Sequence, residues 1–184
     1  MKLAGEDGVA AITIVLYGQF LFTALYLGFS MGVAPVFSFN HGNQNHEQLK
    51  RLYKICIGFI LCSSVIILGI ALLFSEPIVG IFTGEKSHTY ELAVEGFFLF
   101  SFNYLFAGIN IFGSAFFTAL SNGKISAIIS FCRTFVFIVA SIVLLPRIMG
   151  ITGVWLSVPL AELVTLFISI AYLRGQKEVY HYGR

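Results

Sequence analysis

Five apolar segments, each long enough to cross a bilayer, fill most of this chain: Val9–Phe39, Leu49–Phe74, Tyr90–Leu120, Ile125–Leu145 and Gly153–Leu173. A helix needs about 20 predominantly apolar residues to span the hydrocarbon layer. Only 11% of the 184 residues are charged and 58% are hydrophobic, whereas soluble domains carry about 25% charged residues. A soluble fold of this size has too little interior for so much apolar surface. The expected fold is an all-α membrane protein with five transmembrane helices, residues 1–184 forming a single partial transmembrane bundle. The bilayer is its first partner, and a net charge of +2 gives no case for nucleic acid.

The connections NHGNQNHEQLKR, SEPIVGIFTGEKSH, SNGK and PRIMGITG are rich in turn and capping residues. Pro77 to Phe82 is too short to span and is expected at the interface. The N-terminus is not a signal peptide, because Glu6 and Asp7 follow its positive end and the apolar run continues to Phe39. A span that starts so early suggests further chain upstream. Lys50, Arg51, Lys54, Lys124, Arg174, Lys177 and Arg184 fall on one side of the five spans. Lys2, Lys86 and Arg147 fall on the other, beside Glu6, Asp7, Glu76, Glu85 and Glu91. The positive-inside rule then puts the N-terminus outside and the C-terminus in the cytoplasm of a cell membrane, expected to be a bacterial inner membrane.

Polar residues recur at helical spacing within the spans. On the first, Gln19, Thr23, Tyr26 and Ser30 share one narrow face. The third carries Asn103, Ala107, Asn110, Ser114 and Thr118, and the fourth Ser126, Ser130, Arg133 and Ser141. Such stripes either line a water-filled cavity or join helices; three in five helices favour a shared cavity. Gln19, Thr23, Tyr26, Asn103, Asn110 and Ser114 are the candidate substrate contacts. Gly28, Gly32 and Pro35 in the first span are hinge or packing residues, and Pro159 in the last is another.

Two charges lie mid-span, Arg133 in the fourth helix and Glu162 in the fifth. An unpaired charge at mid-bilayer costs at least about 2.5–3.5 kcal/mol. Counted inward from their short connection, the two reach similar depth, so they are expected to pair. The alternative is a proton- or sodium-responsive carboxylate. Glu95 is expected at the headgroups with Glu91. Cys56, Cys62 and Cys132 read as small core hydrophobes. His41, His46, His88 and His181 fall in loops or the tail, with no metal-binding spacing. No catalytic motif occurs, so an enzyme is not expected. Twenty Phe and eight Tyr suit lipid contact and packing, a minority being placed to bind flat apolar molecules, cationic ones included.

SFCRTFVFIVASIVLLPRIMGITGVWLSVPLAELVTL resembles the last two helices of multidrug and toxic compound extrusion (MATE) transporters. The likeness rests on an S-x-x-R helix ending in L-P-x-x-x-G (Ser130, Arg133, Leu145, Pro146, Gly150). After it comes G-V-W-x-x-x-P-x-A-E (Gly153, Val154, Trp155, Pro159, Ala161, Glu162). GFSMGVAPVFSFNHGNQN is similar to the family's eighth helix through Gly28, Gly32, Pro35, Ser38, Asn40, Gly42 and Asn45.

The resemblance implies helices eight to twelve of a twelve-helix transporter, most of its C-terminal bundle. It further implies extrusion of drugs in exchange for protons or sodium, with no other cofactor. The missing N-terminal bundle or a second copy would complete the machine. Some branches of the family carry an acidic cation ligand on the third of these helices; here that place falls near Ala107, which puts sodium binding in this bundle in doubt. Two alternatives remain. A lipid-linked sugar flippase of the same superfamily would need more intramembrane cations than Arg133. A truncated, non-transporting membrane module or assembly subunit would show no efflux.

Overall fold

The computed structural model describes residues 4–83 and 87–183. Lys2, Glu85, Lys86 and Arg184, which entered the charge placement, lie outside the described residues. The chain forms α1 (Gly5–Gly42), α2 (His46–Leu73), the short α3 (Ser75–Gly80), α4 (His88–Ser101), α5 (Tyr104–Ala119), α6 (Gly123–Phe131), a π-helical turn (Cys132–Phe137), α7 (Ile138–Met149) and α8 (Ile151–Gly175).

Helix starts follow local chemistry. The side chains of Asn45, Ser87 and Asn122 accept from the backbone N–H groups of Gln48, Tyr90 and Ile125 at 3.2, 3.1 and 3.1 Å. Each satisfies a donor that a helix N-terminus leaves unpaired. Next to the Ser87 cap, Thr89 Oγ1 donates to Asp7 Oδ1 at 2.6 Å, fastening the start of α4 to that of α1.

Four helices are long and apolar enough to cross a membrane, and α4 with α5 makes a fifth span bent by 51°. The Tyr90–Leu120 span breaks at Phe102 and Asn103. Asn103 folds its amide back on the chain, Nδ2 donating to the Phe100 carbonyl at 2.6 Å. α1 runs unbroken through Pro35 for 38 residues, roughly 57 Å at 1.5 Å per residue, well beyond a hydrocarbon layer of about 30 Å. Gly28 and Gly32 are exposed with no neighbour within side-chain reach, so neither packs against another helix of this chain.

α5 is the hub, touching α1, α2, α6 and α8, while α7 and α8 form an antiparallel hairpin. The turn is made by Gly150 at φ +61°, a conformation that costs glycine little. A methyl group on Gly153 would run into the Leu145 carbonyl, so only glycine lets α8 leave the turn against α7.

Two apolar clusters fill the bundle. One gathers Tyr26, Phe97, Tyr104, Ile111 and Trp155; the other gathers Phe37, Ile60, Phe112, Phe116 and Leu173. They meet along α5 between Ile111 and Phe112. Outward faces are apolar as well, with Phe20 78% and Leu73 80% exposed. Hydrocarbon rather than water is the solvent that tolerates them.

Cys56 is buried, but Cys62 is exposed and Cys132 intermediate. The expectation of three core thiols is corrected for those two: a face turned to lipid accepts a small apolar thiol as readily as a core does. Glu91 and Glu95 are both exposed on α4. Beyond α8 the tail folds back over the basic end. Tyr182 is 1% exposed, its hydroxyl donating to the Leu173 carbonyl at 2.9 Å and its ring lying 4.7 Å from that of Tyr53. Burial pushes the Tyr182 phenol well above its ordinary range.

Candidate functional site

Between the two apolar clusters lies a polar layer centred on Glu162, which is 1% exposed. Arg133 Nε donates to Glu162 Oε1 at 2.7 Å. Asn110 Nδ2 donates to the other carboxylate oxygen at 2.8 Å and to the Glu162 backbone carbonyl at 2.9 Å. Ser169 Oγ in turn donates to Asn110 Oδ1 at 2.8 Å. Both carboxylate oxygens and the amide that holds one of them are thus satisfied, which is the condition for a buried ion pair to persist.

The π-helical turn shapes one side of this arrangement. It contains Arg133 and widens the helix locally, a feature that commonly accompanies functional positions. On α8, Glu162, Thr165 and Ser169 recur at three and four residues and are all buried. That stripe was readable in the sequence but was not singled out there, and Ser169 is the member that reaches Asn110. The π turn has no comparable sequence signal.

The predicted stripes are largely consumed in joining helices. Ser114 Oγ lies 2.7 Å from Ser130 Oγ and 2.9 Å from Ser126 Oγ, and Thr118 Oγ1 lies 2.7 Å from Ser126 Oγ. These contacts zip α5 to α6. The Tyr26 hydroxyl shares its proton between the Tyr104 carbonyl at 3.0 Å and Ser64 Oγ at 3.2 Å. Thr23 Oγ1 and Asn103 Oδ1 are buried without a hydrogen-bond partner among the described residues, and Gln19 is half-buried. Pro159 is buried in α8 between Trp155 and Glu162, while Gly32 and Pro35 lie on the exposed side of α1.

Where three stripes converge, they leave a cavity of about 170 Å³. Leu27, Ser30 and Met31 of α1 form one wall, and Asn110, Ile111, Ser114 and Ala115 of α5 another. Ser130 and Arg133 complete the lining. Of the six candidate substrate contacts, the structure brings Asn110 and Ser114 to this cavity, next to the ion pair. Gln19, Thr23, Tyr26 and Asn103 lie elsewhere. Ser30 and Ser130, stripe members on the first and fourth spans, are polar lining residues outside that set of six.

Long apolar helices around a buried ion pair define a multi-pass membrane protein. The chain belongs to the MatE family, whose profile matches residues 1–144. The solved structures it resembles include an outward-facing conformation of a multidrug resistance MATE family transporter of the MOP superfamily. That likeness has a TM-score of 0.88 at 20% identity, over 97% of this chain and 40% of the other. A MATE in complex with MaL6 gives 0.86 at 20% identity, over 97% and 40%. The Vibrio cholerae MATE transporter VcmN in its bent form gives 0.86 at 19%, over 100% and 42%. No curated protein matches the chain significantly. The chain therefore spans about two fifths of the length of these transporters, and at such identities the likeness concerns the fold. The GVWLSVPLAE motif lies beyond the profile match but within the structural one.

Proposed function

We propose that the chain supplies most of the C-terminal bundle of a secondary multidrug exporter, working by alternating access and driven by a proton or sodium gradient. The observation that carries this reading is the convergence of three helices of a MatE bundle on one small cavity beside an intramembrane charge pair whose carboxylate oxygens are both bonded. In such machines two bundles rock about a mid-membrane site. Substrates are hydrophobic small molecules, cationic ones included, and export requires either the N-terminal bundle or a second copy of this chain. The basic residues at the α1–α2, α5–α6 and C-terminal ends favour an external N-terminus and a cytoplasmic C-terminus in the cell membrane of a bacterium.

Coupling demands a group that binds the ion differently in the two orientations. Glu162 already spends both oxygens on Arg133 and Asn110, so in this reading it positions the bundle and the coupling carboxylate belongs to the other bundle. The test is reconstitution of the chain, joined to a six-helix N-terminal bundle, in liposomes with an imposed proton or sodium gradient. Gradient-driven dye export, with its pH dependence retained in Glu162→Gln, is the expected result. Absence of export with either gradient would overturn the exporter reading, and a lost pH dependence in Glu162→Gln would make that residue the coupling group.

A further inference from the structure

The four histidines carry no metal-binding spacing, yet the fold brings two of them into contact. His46 opens α2 and His181 lies in the tail; their ring centres are 4.6 Å apart and their planes are inclined at 60°. Both residues are exposed, so core packing does not account for the contact. His181 is held in place from both sides. Tyr182 is buried, its hydroxyl donating to the Leu173 carbonyl at 2.9 Å, and Asn122 Nδ2 donates to the Tyr180 hydroxyl at 2.8 Å. Between these anchors His181 has φ +56°, a left-handed conformation that is uncommon outside glycine and persists where the surroundings fix it.

We propose that His46 and His181 form a two-imidazole site for a divalent transition-metal ion, which staples the tail to the start of α2. Imidazole suits copper, nickel and zinc. A metal–nitrogen bond is about 2.0–2.1 Å long. Two imidazoles on one ion, at about 90–110° from each other, therefore place their ring centres about 4.5–5.2 Å apart. The observed 4.6 Å falls within that interval. Because both rings are exposed, no packed neighbour opposes the rotation that turns one nitrogen of each toward a common ion. Charge does not oppose it either: the cavity that both histidines line also carries Glu47 and Glu178, which balance Lys50 and Lys177. No group of three metal-ligating side chains occurs among the described residues, so water completes the coordination. Copper(II), which N-donor sites hold tightest among the first-row divalent ions, is then the most sensitive probe. The site lies at the basic end of the bundle and does not depend on the exporter reading.

The experiment uses the 184-residue chain, free of any histidine tag and with its accessible thiols alkylated, in tag-free phosphatidylcholine nanodiscs titrated with Cu²⁺ alone. Pulsed electron paramagnetic resonance counts the imidazoles on the bound copper, and two per ion is the expected result. His46→Ala and His181→Ala should each leave one imidazole. Each should weaken binding by at least about tenfold, a loss that even residues which merely orient a metal ligand can bring. His88→Ala, at the start of α4 and the other end of the bundle, should change neither reading. Zn²⁺ should slow backbone hydrogen exchange across residues 176–183 of the unaltered chain, and should not do so in either His46→Ala or His181→Ala. Absence of saturable copper binding beyond empty nanodiscs overturns the proposal, as does a spectrum with a single imidazole or an equal loss in His88→Ala. Zinc binding without slower exchange would overturn the staple. Since the imidazole count is read on the unaltered chain, it decides the site even where a variant disturbs the tail.

Discussion

Asn110 commits both protons of its amide to a single residue, Glu162, one to the carboxylate at 2.8 Å and one to the backbone carbonyl at 2.9 Å. This fork holds the hub helix α5 against α8 at the level where the two apolar clusters meet. Replacing Asn110 by Leu removes a hydrogen bond to a buried charge, and should cost about 1.5–3 kcal/mol. Ser169→Ala, one step further out, should cost only about 1 kcal/mol. Thermal unfolding of the purified chain in detergent measures both; equal costs would contradict the graded network.

The Arg133–Glu162 pair should behave as a unit. Arg133→Gln alone strands a buried carboxylate and should destabilise by about 3–5 kcal/mol. The double variant Arg133→Gln/Glu162→Gln should recover most of that loss. Additive losses in the same unfolding assay would mean that the two side chains do not depend on each other.

Two hydroxyls on the first stripe should respond in opposite ways. Tyr26→Phe strands the Tyr104 carbonyl and Ser64, and should cost about 1 kcal/mol. Thr23→Val is nearly isosteric and removes an oxygen that has no partner among the described residues, so it should be neutral or slightly stabilising. A large loss for Thr23→Val would show that a bound group satisfies that oxygen.

Gly153→Ala should open the α7–α8 hairpin, because the added methyl meets the Leu145 backbone carbonyl rather than a movable side chain. A loss of about 1–3 kcal/mol is expected, as for overpacking elsewhere. Gly28→Ala, where the added methyl meets nothing within 4 Å, should be tolerated by the isolated chain and serves as the control.

The tail should release at high pH. Burial favours the neutral phenol of Tyr182, with Tyr53 and Tyr180 adding to the rise. Its contribution to docking is therefore complete below the ordinary tyrosine value of 10.0 and falls away as pH climbs beyond it. A spin label at exposed Val179 should gain mobility above that pH. In Tyr182→Phe, which lacks the titrating group, that mobility should no longer depend on pH through Tyr182.

The pattern of apolar runs was enough to give the all-helical membrane fold, because in hydrocarbon a segment of that length has to satisfy its own backbone. The five spans were equally legible. So was the closeness of Arg133 and Glu162, since a short connection fixes the relative depth of antiparallel neighbours. The polar stripes were visible too, but periodicity shows only that residues share a face.

It cannot say what that face meets. Tyr26 turned to Ser64 and the Tyr104 carbonyl, Ser114 to Ser126 and Ser130, while Thr23 and Ser30 were left without a hydrogen-bond partner among the described residues. Those outcomes depend on how five helices rotate and how closely they pack, and on a π turn that re-aims Arg133. Such features are settled by many side chains at once, across helices distant in sequence. The sequence by itself therefore determined that this chain is a membrane bundle with a charge pair inside it. Which of its polar groups hold the bundle together, and which remain free to meet a ligand, was decided by tertiary packing alone.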